Sequence, residues 1–233
     1  DWVASHSCKQ MVAYSAASDT FLIANAGDYY PKELLFTGFA GGRHLDAKAS
    51  FPGWGNGGGL QGVSQGAIRA DPWSGGFASV WSYGTEGGGP DKLYFATISE
   101  DVEFVQEPTP IFPDSPGMEV SGSVAPLGPD RWLVAYNEAP TDVLDDYLRI
   151  YFEDWGLPAS LRSTGARLAI VDSTGRPVGD PVDVAALGAP LPVEINHLVQ
   201  RRDGLGWIFL DGPGMDTAKI VHLKCRPAAP HIA

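Results

Sequence analysis

Apolar and polar residues alternate in short runs along most of the chain, and this pattern predicts β-strands. Turn-forming residues separate the runs, for example Ser18 with Asp19 and Asp203 with Gly204. Strand-length runs joined by such turns are typical of antiparallel meanders, in which each strand pairs with the next. The four clearest runs contain an aromatic residue at or near their start and lie at 20–24, 76–81, 131–136 and 206–210.

Four segments of the chain can be laid over one another, and each predicts the same order of strands. A first strand of mostly small residues precedes the aromatic-led second strand, and an apolar third strand follows it. The first strands are predicted at 5–8, 64–67, 121–124 and 195–198, the third at 33–39, 92–99, 166–172 and 218–223, and two fourth strands at 102–106 and 177–184. This alignment gives Phe21, Phe77, Trp132 and Trp207 equivalent core positions in the second strands.

The repetition favours a β-propeller over other all-β folds. A four-stranded sheet cannot bury both of its faces alone, whereas sheets arranged radially pack on one another. Small residues suit the first strands, because the innermost strands crowd around the axis. The sequence therefore predicts a single all-β domain over 1–233, with about four blades of four-stranded antiparallel sheets. A β-sandwich whose hairpins resemble one another is the alternative.

The fourth repeat ends early, because Pro227 and Pro230 prevent a further ladder strand. Two interpretations follow: a compact ring of four blades, or the C-terminal part of a larger ring whose upstream blades are elsewhere. A disulfide between Cys8 and Cys225 would tie the two ends and close a very long loop. The alternative is two unpaired thiols.

One helix is predicted as an insertion in the third repeat, at 142–155. Apolar residues there follow helical spacing, Thr141 is a suitable N-cap, and Gly156 with Pro158 ends the pattern. The aromatic stripe of this helix must pack against something. The helix covers the edge of the ring. The more specific interpretation is that it forms a lid over a site, or that it is itself a docking surface for a partner.

Composition narrows the functional classes. The chain has 29 glycines and 19 prolines, with 44% hydrophobic and 19% charged residues, which permits a buried core but disfavours long helices. The net charge of −12 and the lack of a Lys/Arg cluster argue against a nucleic-acid partner, and no apolar run is long enough to span a bilayer. Few lysines with abundant glycine, tryptophan and tyrosine favour a secreted or cell-surface protein.

Motifs for catalysis and for cofactors are missing from the sequence. There is no G-x-S-x-G motif, no P-loop, no EF-hand loop and no Cys/His spacing for zinc. The carboxylates at 100–103 and 145–154 are best explained as solvated loop or helix faces. The sequence accordingly predicts no cofactor, no metal and no catalytic residue.

The loop at 27–32 is the most specific local feature. Asp28, Tyr30 and Lys32 place an acid, a phenol and an amine within five residues, and His6 lies one hairpin upstream. Together with His6-Ser7-Cys8-Lys9-Gln10, the loop resembles uncharacterised secreted bacterial β-propeller-like repeat proteins, whose pattern runs roughly H-S-x-x-Q, then G-D-x-Y-P-[KR]. The resemblance covers the first repeat only. It implies a secreted or surface propeller and brings no activity with it.

The hub of the predicted ring is a second candidate site. The first strands would bring His6, Gln65, Glu119 and His197 together near the axial mouth. His6 and His197 with Glu119 have the chemistry to hold a metal in principle, but polar residues around a water-filled channel are the ordinary outcome. Aromatic residues in loops would stack on sugar rings or pack at blade edges, and they are Trp54, Trp73, Tyr83 and Trp155.

The leading hypothesis is an exported, non-enzymatic binding module that recognises a glycan or a protein. The alternative is an enzyme, either a hydrolase or lyase at the axial mouth or one subunit of a multichain enzyme. A third reading is a structural subunit that pairs with a second chain to complete the ring. The expected ligand-binding residues are His6, Asp28, Tyr30, Lys32, Gln65, Glu119 and His197.

Overall fold

The computed structural model describes residues 10–27, 33–52, 63–84, 91–139, 165–191, 198–201, 204–211 and 217–224. These residues form fifteen β-strands and no helix, which confirms the all-β prediction. The predicted helix at 142–155 lies outside the described residues, as do Cys8 and Cys225. The disulfide between these two cysteines therefore stays a prediction.

The strands form four antiparallel sheets, and each sheet takes its strands in chain order. Sheet 1 contains β1 (Gln10–Ser15), β2 (Thr20–Gly27), β3 (Glu33–Ala40) and β4 (Arg43–Pro52). Sheet 2 contains β5 (Val63–Ala70), β6 (Phe77–Tyr83), β7 (Lys92–Ile98) and β8 (Thr109–Pro110). Sheet 3 contains β9 (Met118–Gly128), β10 (Arg131–Ala139), β11 (Gly165–Asp172) and β12 (Val182–Asp183). Sheet 4 contains β13 (Val199–Arg201), β14 (Gly204–Asp211) and β15 (Thr217–Leu223).

The four sheets correspond to the four repeats, with differences in the outer strands of each sheet. The predicted first strands at 64–67 and 121–124 lie within β5 and β9. The strands that pair with β2 and β14 are later in the chain than predicted, because β1 begins at Gln10 and β13 at Val199. Sheet 1 also has a long fourth strand, β4, which the sequence reasoning missed. The described part of the fourth repeat forms three strands, and its predicted early end at 226–230 lies outside the described residues.

Consecutive sheets pack face to face and bury an apolar cluster at each of three contacts. We call the face turned towards the preceding sheet the front face and the opposite one the back face. Strand β6 shows the arrangement: Phe77 and Trp81 pack with sheet 1, whereas Ala78 and Val80 pack with sheet 3. A strand with neighbours on both faces is apolar throughout, and six successive residues of β6 are buried.

The first strands of the sheets converge. A Cβ atom on Gly66 of β5 would lie 2.3 Å from the carbonyl oxygen of Val80 and 3.0 Å from that of Gly122 in β9, so only glycine fits there. Arg69 at the end of β5 donates a hydrogen bond of 2.8 Å to the carbonyl oxygen of Leu198, directly before β13. In a flat stack, sheets 2 and 4 would be about 20 Å apart. Arg69 therefore links sheet 2 to the chain segment directly before sheet 4.

The predicted equivalence of the second-strand aromatics is correct for three sheets and wrong for the first. Phe77, Trp132 and Trp207 are each 1% exposed and lie on the front faces of sheets 2, 3 and 4. Phe21 occupies the corresponding front-face position of sheet 1 but is 45% exposed. It is not a core residue, because no sheet precedes sheet 1 among the described residues.

We predict that Trp132→Ala lowers the free energy of unfolding by about 3–5 kcal/mol, the usual loss for a buried large aromatic side chain. Phe21→Ala, the matched control on an uncovered face, should lower it by less than about 1 kcal/mol. Urea unfolding followed by tryptophan fluorescence and circular dichroism measures both values. Equal losses for the two variants would contradict the assignment of the faces.

Candidate functional site

A cleft of about 480 Å³ opens between sheets 2 and 3. It lies at the end of the sheets where the second strand of each sheet connects to the third; we call this the loop end. One wall is the chain segment between β8 and β9, and the other is the front face of sheet 3. The lining residues are Ile111, Phe112, Pro113, Asp114, Ser115, Pro116, Tyr136, Glu138, Arg167 and Pro181.

The first wall, residues 111–116, is fixed to sheet 2 by hydrogen bonds to β7. The amide of Ile111 donates to the carbonyl oxygen of Leu93 at 2.8 Å. The Lys92 ammonium donates to the carbonyl oxygens of Ser115 and, at 3.3 Å, Gly117. Pro113 and Pro116 restrict the backbone further, because the proline ring fixes φ. This wall is thus an ordered loop rather than a strand.

Strand alternation places the functional groups of the second wall. Side chains two residues apart share a face, so Tyr136 and Glu138 follow Trp132 on the front face of sheet 3. Arg167 lies opposite Tyr136 in the β10–β11 register, and Asp183 lies opposite Arg167 in the next pair. Arg167 contacts Glu138 Oε2 at 3.2 Å and Asp183 Oδ2 at 3.6 Å. The three side chains are about one-third exposed, and Glu138 and Arg167 line the cleft.

Glu119 joins sheets 2 and 3 behind the cleft. Its Oε2 accepts a hydrogen bond of 2.8 Å from the amide of Leu93, and its own amide donates to the carbonyl oxygen of Asp91 at 2.9 Å. The hydroxyl of Ser82 donates to the Glu119 carbonyl oxygen at 2.7 Å. The side chain is fully buried, and its Oε1 has no hydrogen-bond partner among the described residues.

Burial raises the pKa of the Glu119 carboxyl, and the charge of Glu138 adds to this effect. The two residues lie directly opposite in the β9–β10 register, where like charges disfavour each other. The Leu93 amide, the Ser115 side chain and Lys92 act in the opposite sense. Burial also raises the pKa of Tyr136, so its phenol keeps its proton and can donate a hydrogen bond at neutral pH.

Asp91 is a half-buried carboxyl at the loop end. It lies at the turn into β7, packed so closely on Gly84 that a Cβ atom there would be 2.3 Å from its Oδ1. Burial raises its pKa to about 6. The folded protein therefore retains this proton at pH values where the unfolded chain has lost it.

Of the seven ligand-binding residues expected from the sequence, the structure places two. Glu119 lies behind the cleft, as described above. Gln65 lies in β5, opposite Trp81 in the register with β6. His6, Asp28, Tyr30, Lys32 and His197 lie outside the described residues.

Sequence reasoning missed Tyr136, Glu138 and Arg167. The available signal was the alternation along Arg131–Ala139, which puts Glu138 on the same face as the predicted core residue Trp132. The segment 111–116 gave a weaker signal, since its prolines mark a rigid loop. No sequence pattern indicated that β8 is only two residues long, and this length decides where the cleft opens.

The loop aromatics have different roles where the structure describes them. Tyr83 packs edge-to-face on Phe51 and Tyr94 at centroid distances of 5.0 and 5.6 Å, so it belongs to the contact between sheets 1 and 2. Trp73 is about half exposed in the turn between β5 and β6, at the end opposite the cleft. Trp54 and Trp155 lie outside the described residues.

Comparisons with protein-family models, with curated proteins and with solved structures find no match to this chain. The resemblance of the first repeat to bacterial propeller-like proteins stays a hypothesis. In the described ranges, no three His, Cys, Asp or Glu side chains are grouped to hold a metal ion. None of the described elements is a helix of the length and hydrophobicity that crossing a membrane requires.

We predict that Asp91 makes stability fall as pH rises from about 4, the ordinary Asp pKa, to about 6. The folded state binds more protons than the unfolded state in this range, so raising the pH favours unfolding. Asp91→Asn should be more stable relative to wild type at pH 7 than at pH 4. Thermal unfolding at several pH values measures the difference, with Asp101→Asn in an exposed turn as the charge control. A difference that does not vary with pH would contradict the burial of this carboxyl.

Proposed function

We propose that this chain is an exported, non-enzymatic binding module of β-propeller architecture that holds a glycan in the cleft between sheets 2 and 3. The observation that carries the proposal is the accessible row formed by Glu138, Arg167 and Asp183 beside an aromatic wall. Loops and edges of a rigid scaffold are where binding residues collect, and this row lies at the loop end of a rigid pair of sheets.

The propeller architecture is supported by the order in which the sheets pack. Each sheet covers only its chain neighbours, and the first strands converge through Gly66, Gly122 and the bond from Arg69 to Leu198. A β-sandwich would instead pair two large sheets, each buried on one face. Sheets 2 and 3 are buried on both faces, which favours successive blades.

The charge pattern of the cleft favours a neutral ligand with several hydroxyl groups. Arg167 is paired with two carboxylates, Glu138 and Asp183, and Asp114 also lines the cleft, so the site has donors and acceptors and a net negative charge. Sugar hydroxyls both donate and accept, and they match such a mixed row. An anionic ligand would meet these two carboxylates and, beyond them, a chain with a net charge of −12.

The aromatic wall and the size of the cleft favour a sugar over a protein surface. The ring of the half-buried Phe112 lies 5.4 Å from the ring of Tyr136, which is buried, so Phe112 and the flanking prolines provide the apolar surface of the cleft. Apolar faces of sugar rings pack on such surfaces. A volume of about 480 Å³ suits a small ligand, whereas a protein partner would need a broad surface.

We expect Arg167→Ala to weaken glycan binding about tenfold or more, because a hydrogen bond to a charged group contributes roughly 1.5–3 kcal/mol. A glycan array with the wild-type chain selects the oligosaccharide, and titration calorimetry with that oligosaccharide then compares the variants. Trp73→Ala is the control, since it removes an exposed aromatic residue from the opposite end. Equal affinity for wild type and Arg167→Ala, at equal thermal stability, would exclude this cleft as the site.

Glu119 and Glu138 support a second candidate function, a hydrolase or lyase. They face each other in the strand register, and one of them has a raised pKa, which is the asymmetry that an acid and a base require. Against this, Oε2 of Glu119 is already bonded to the Leu93 amide. If the array oligosaccharide is cleaved by wild type and not by Glu138→Gln, the enzyme replaces the binding module as the function.

A further inference from the structure

The two end faces of the four-sheet array are apolar, and no other described element covers them. On the front face of sheet 1, Val12 is 61% and Phe21 45% exposed, and Tyr14 lies on the same face. On the back face of sheet 4, Ile208 is 55% and Ile220 69% exposed, and Val199 lies beside them. Ile208 and Ile220 are directly opposite in the β14–β15 register, so they form one patch.

The chain itself shows what covers such faces. The front faces of sheets 2, 3 and 4 are each buried by the back face of the preceding sheet. The front face of sheet 1 carries Phe21 at the position that Phe77, Trp132 and Trp207 fill in those three contacts. The back face of sheet 4 is the counterpart that no following sheet covers among the described residues. The two open faces are therefore one front face and one back face, and a front face packs on a back face at all three sheet contacts.

We propose that these faces pair between two copies of the chain, the back face of sheet 4 of each copy packing on the front face of sheet 1 of the other. The proposal rests on the propeller architecture proposed above and is separate from glycan binding. Head-to-tail contacts between copies form a closed ring when the rotation from one copy to the next permits closure. Two copies of four sheets give eight, the upper end of the usual range of about four to eight blades, and three copies would exceed it.

The front face of sheet 1 is ordered for such a contact. The rings of Tyr14 and Phe21 contact each other at a centroid distance of 4.6 Å and a tilt of 35°, and the Tyr14 hydroxyl donates to Asp19 Oδ1 at 3.0 Å. The residues that face outward from β2 and β3 at the centre of this face, Phe21, Ile23 and Thr37, are uncharged. The residues that would pack against them from the back face of sheet 4, Val199, Ile208 and Ile220, are also uncharged. The net charge of −12 therefore places no like charges at the centre of the contact.

Sedimentation velocity of the 233-residue chain at micromolar concentration tests the proposal. We expect wild type to sediment as a dimer, with twice the chain mass of 24.8 kDa. Phe21→Asp and Ile220→Asp should each give a folded monomer, because each blocks one of the two faces that every contact needs. Leu187→Asp is the control: Leu187 is equally exposed but lies on neither face, and this variant should remain dimeric.

Mixing the two variants distinguishes head-to-tail pairing from other dimers. The intact back face of Phe21→Asp fits the intact front face of Ile220→Asp, so the mixture should contain a dimer that neither variant forms alone. A monomeric wild-type chain would overturn the proposal, and so would a dimer disrupted by only one of the two substitutions or a mixture that stays monomeric. Circular dichroism of each variant confirms that the sheets are retained.

Discussion

The structure depends on one constraint, that an antiparallel sheet with two apolar faces must find a neighbour for each. Sheets 2 and 3 satisfy it, and the consequence is visible in β6, where six successive residues are buried. Sheet 1 has one neighbour, and its strand β3 accordingly alternates between buried and half-buried residues. The same four-strand unit thus gives two burial patterns, and its place in the series decides which one appears.

Convergence of the first strands adds a second constraint, which acts on polar groups. Strand β8 ends at Pro110, opposite Tyr94, so the backbone of Leu93 lies beyond the β7–β8 ladder. Its carbonyl oxygen is bonded by the Ile111 amide, and its amide is bonded by the carboxyl of Glu119. A side chain from sheet 3 therefore supplies the hydrogen bond that a longer fourth strand would have made. An unpaired buried amide would cost about 1–3 kcal/mol, which offsets part of the cost of burying the carboxyl.

The sequence was sufficient to predict the all-β class, the four repeats and the central strands. These features rest on local alternation and on turn residues, which act over a few positions. It was not sufficient for Phe21, because its pattern matches that of Phe77 and Trp132, and only the absence of a covering sheet distinguishes it. Outer strands such as β1 and β4 were also misplaced or missed, since their pairing depends on the neighbouring strand more than on their own composition.

The candidate site was predictable only in part, for a related reason. Glu119 was selected from the sequence as a polar residue of a first strand, but its contact with the Leu93 amide depends on where β8 ends. Tyr136 and Arg167 come together through the β10–β11 register across the segment 140–164, a distance along the chain that short patterns do not bridge. Sequence patterns identified residues that lie close together along the chain, but they did not identify residues that only the pairing of distant strands brings together.

A comparison of two sheet contacts explains why the cleft lies between sheets 2 and 3. At the loop end of the contact between sheets 1 and 2, β4 is ten residues long and reaches Phe51, which packs on Trp81, Tyr83 and Tyr94 and fills the space. In sheet 2 the fourth strand stops after two residues, and the chain turns away as the loop at 111–116. The front face of sheet 3 is then left open at the corresponding place, where Glu138 and Arg167 lie beyond the apolar cluster that includes Tyr136. The shortened strand and the polar row occur together, and each would be costly without the other. With the short strand, an apolar row would be exposed in the cleft. With a full-length strand, the polar row would be buried together with its ion pair. Their coincidence is the physical argument for the proposal that this opening binds a ligand.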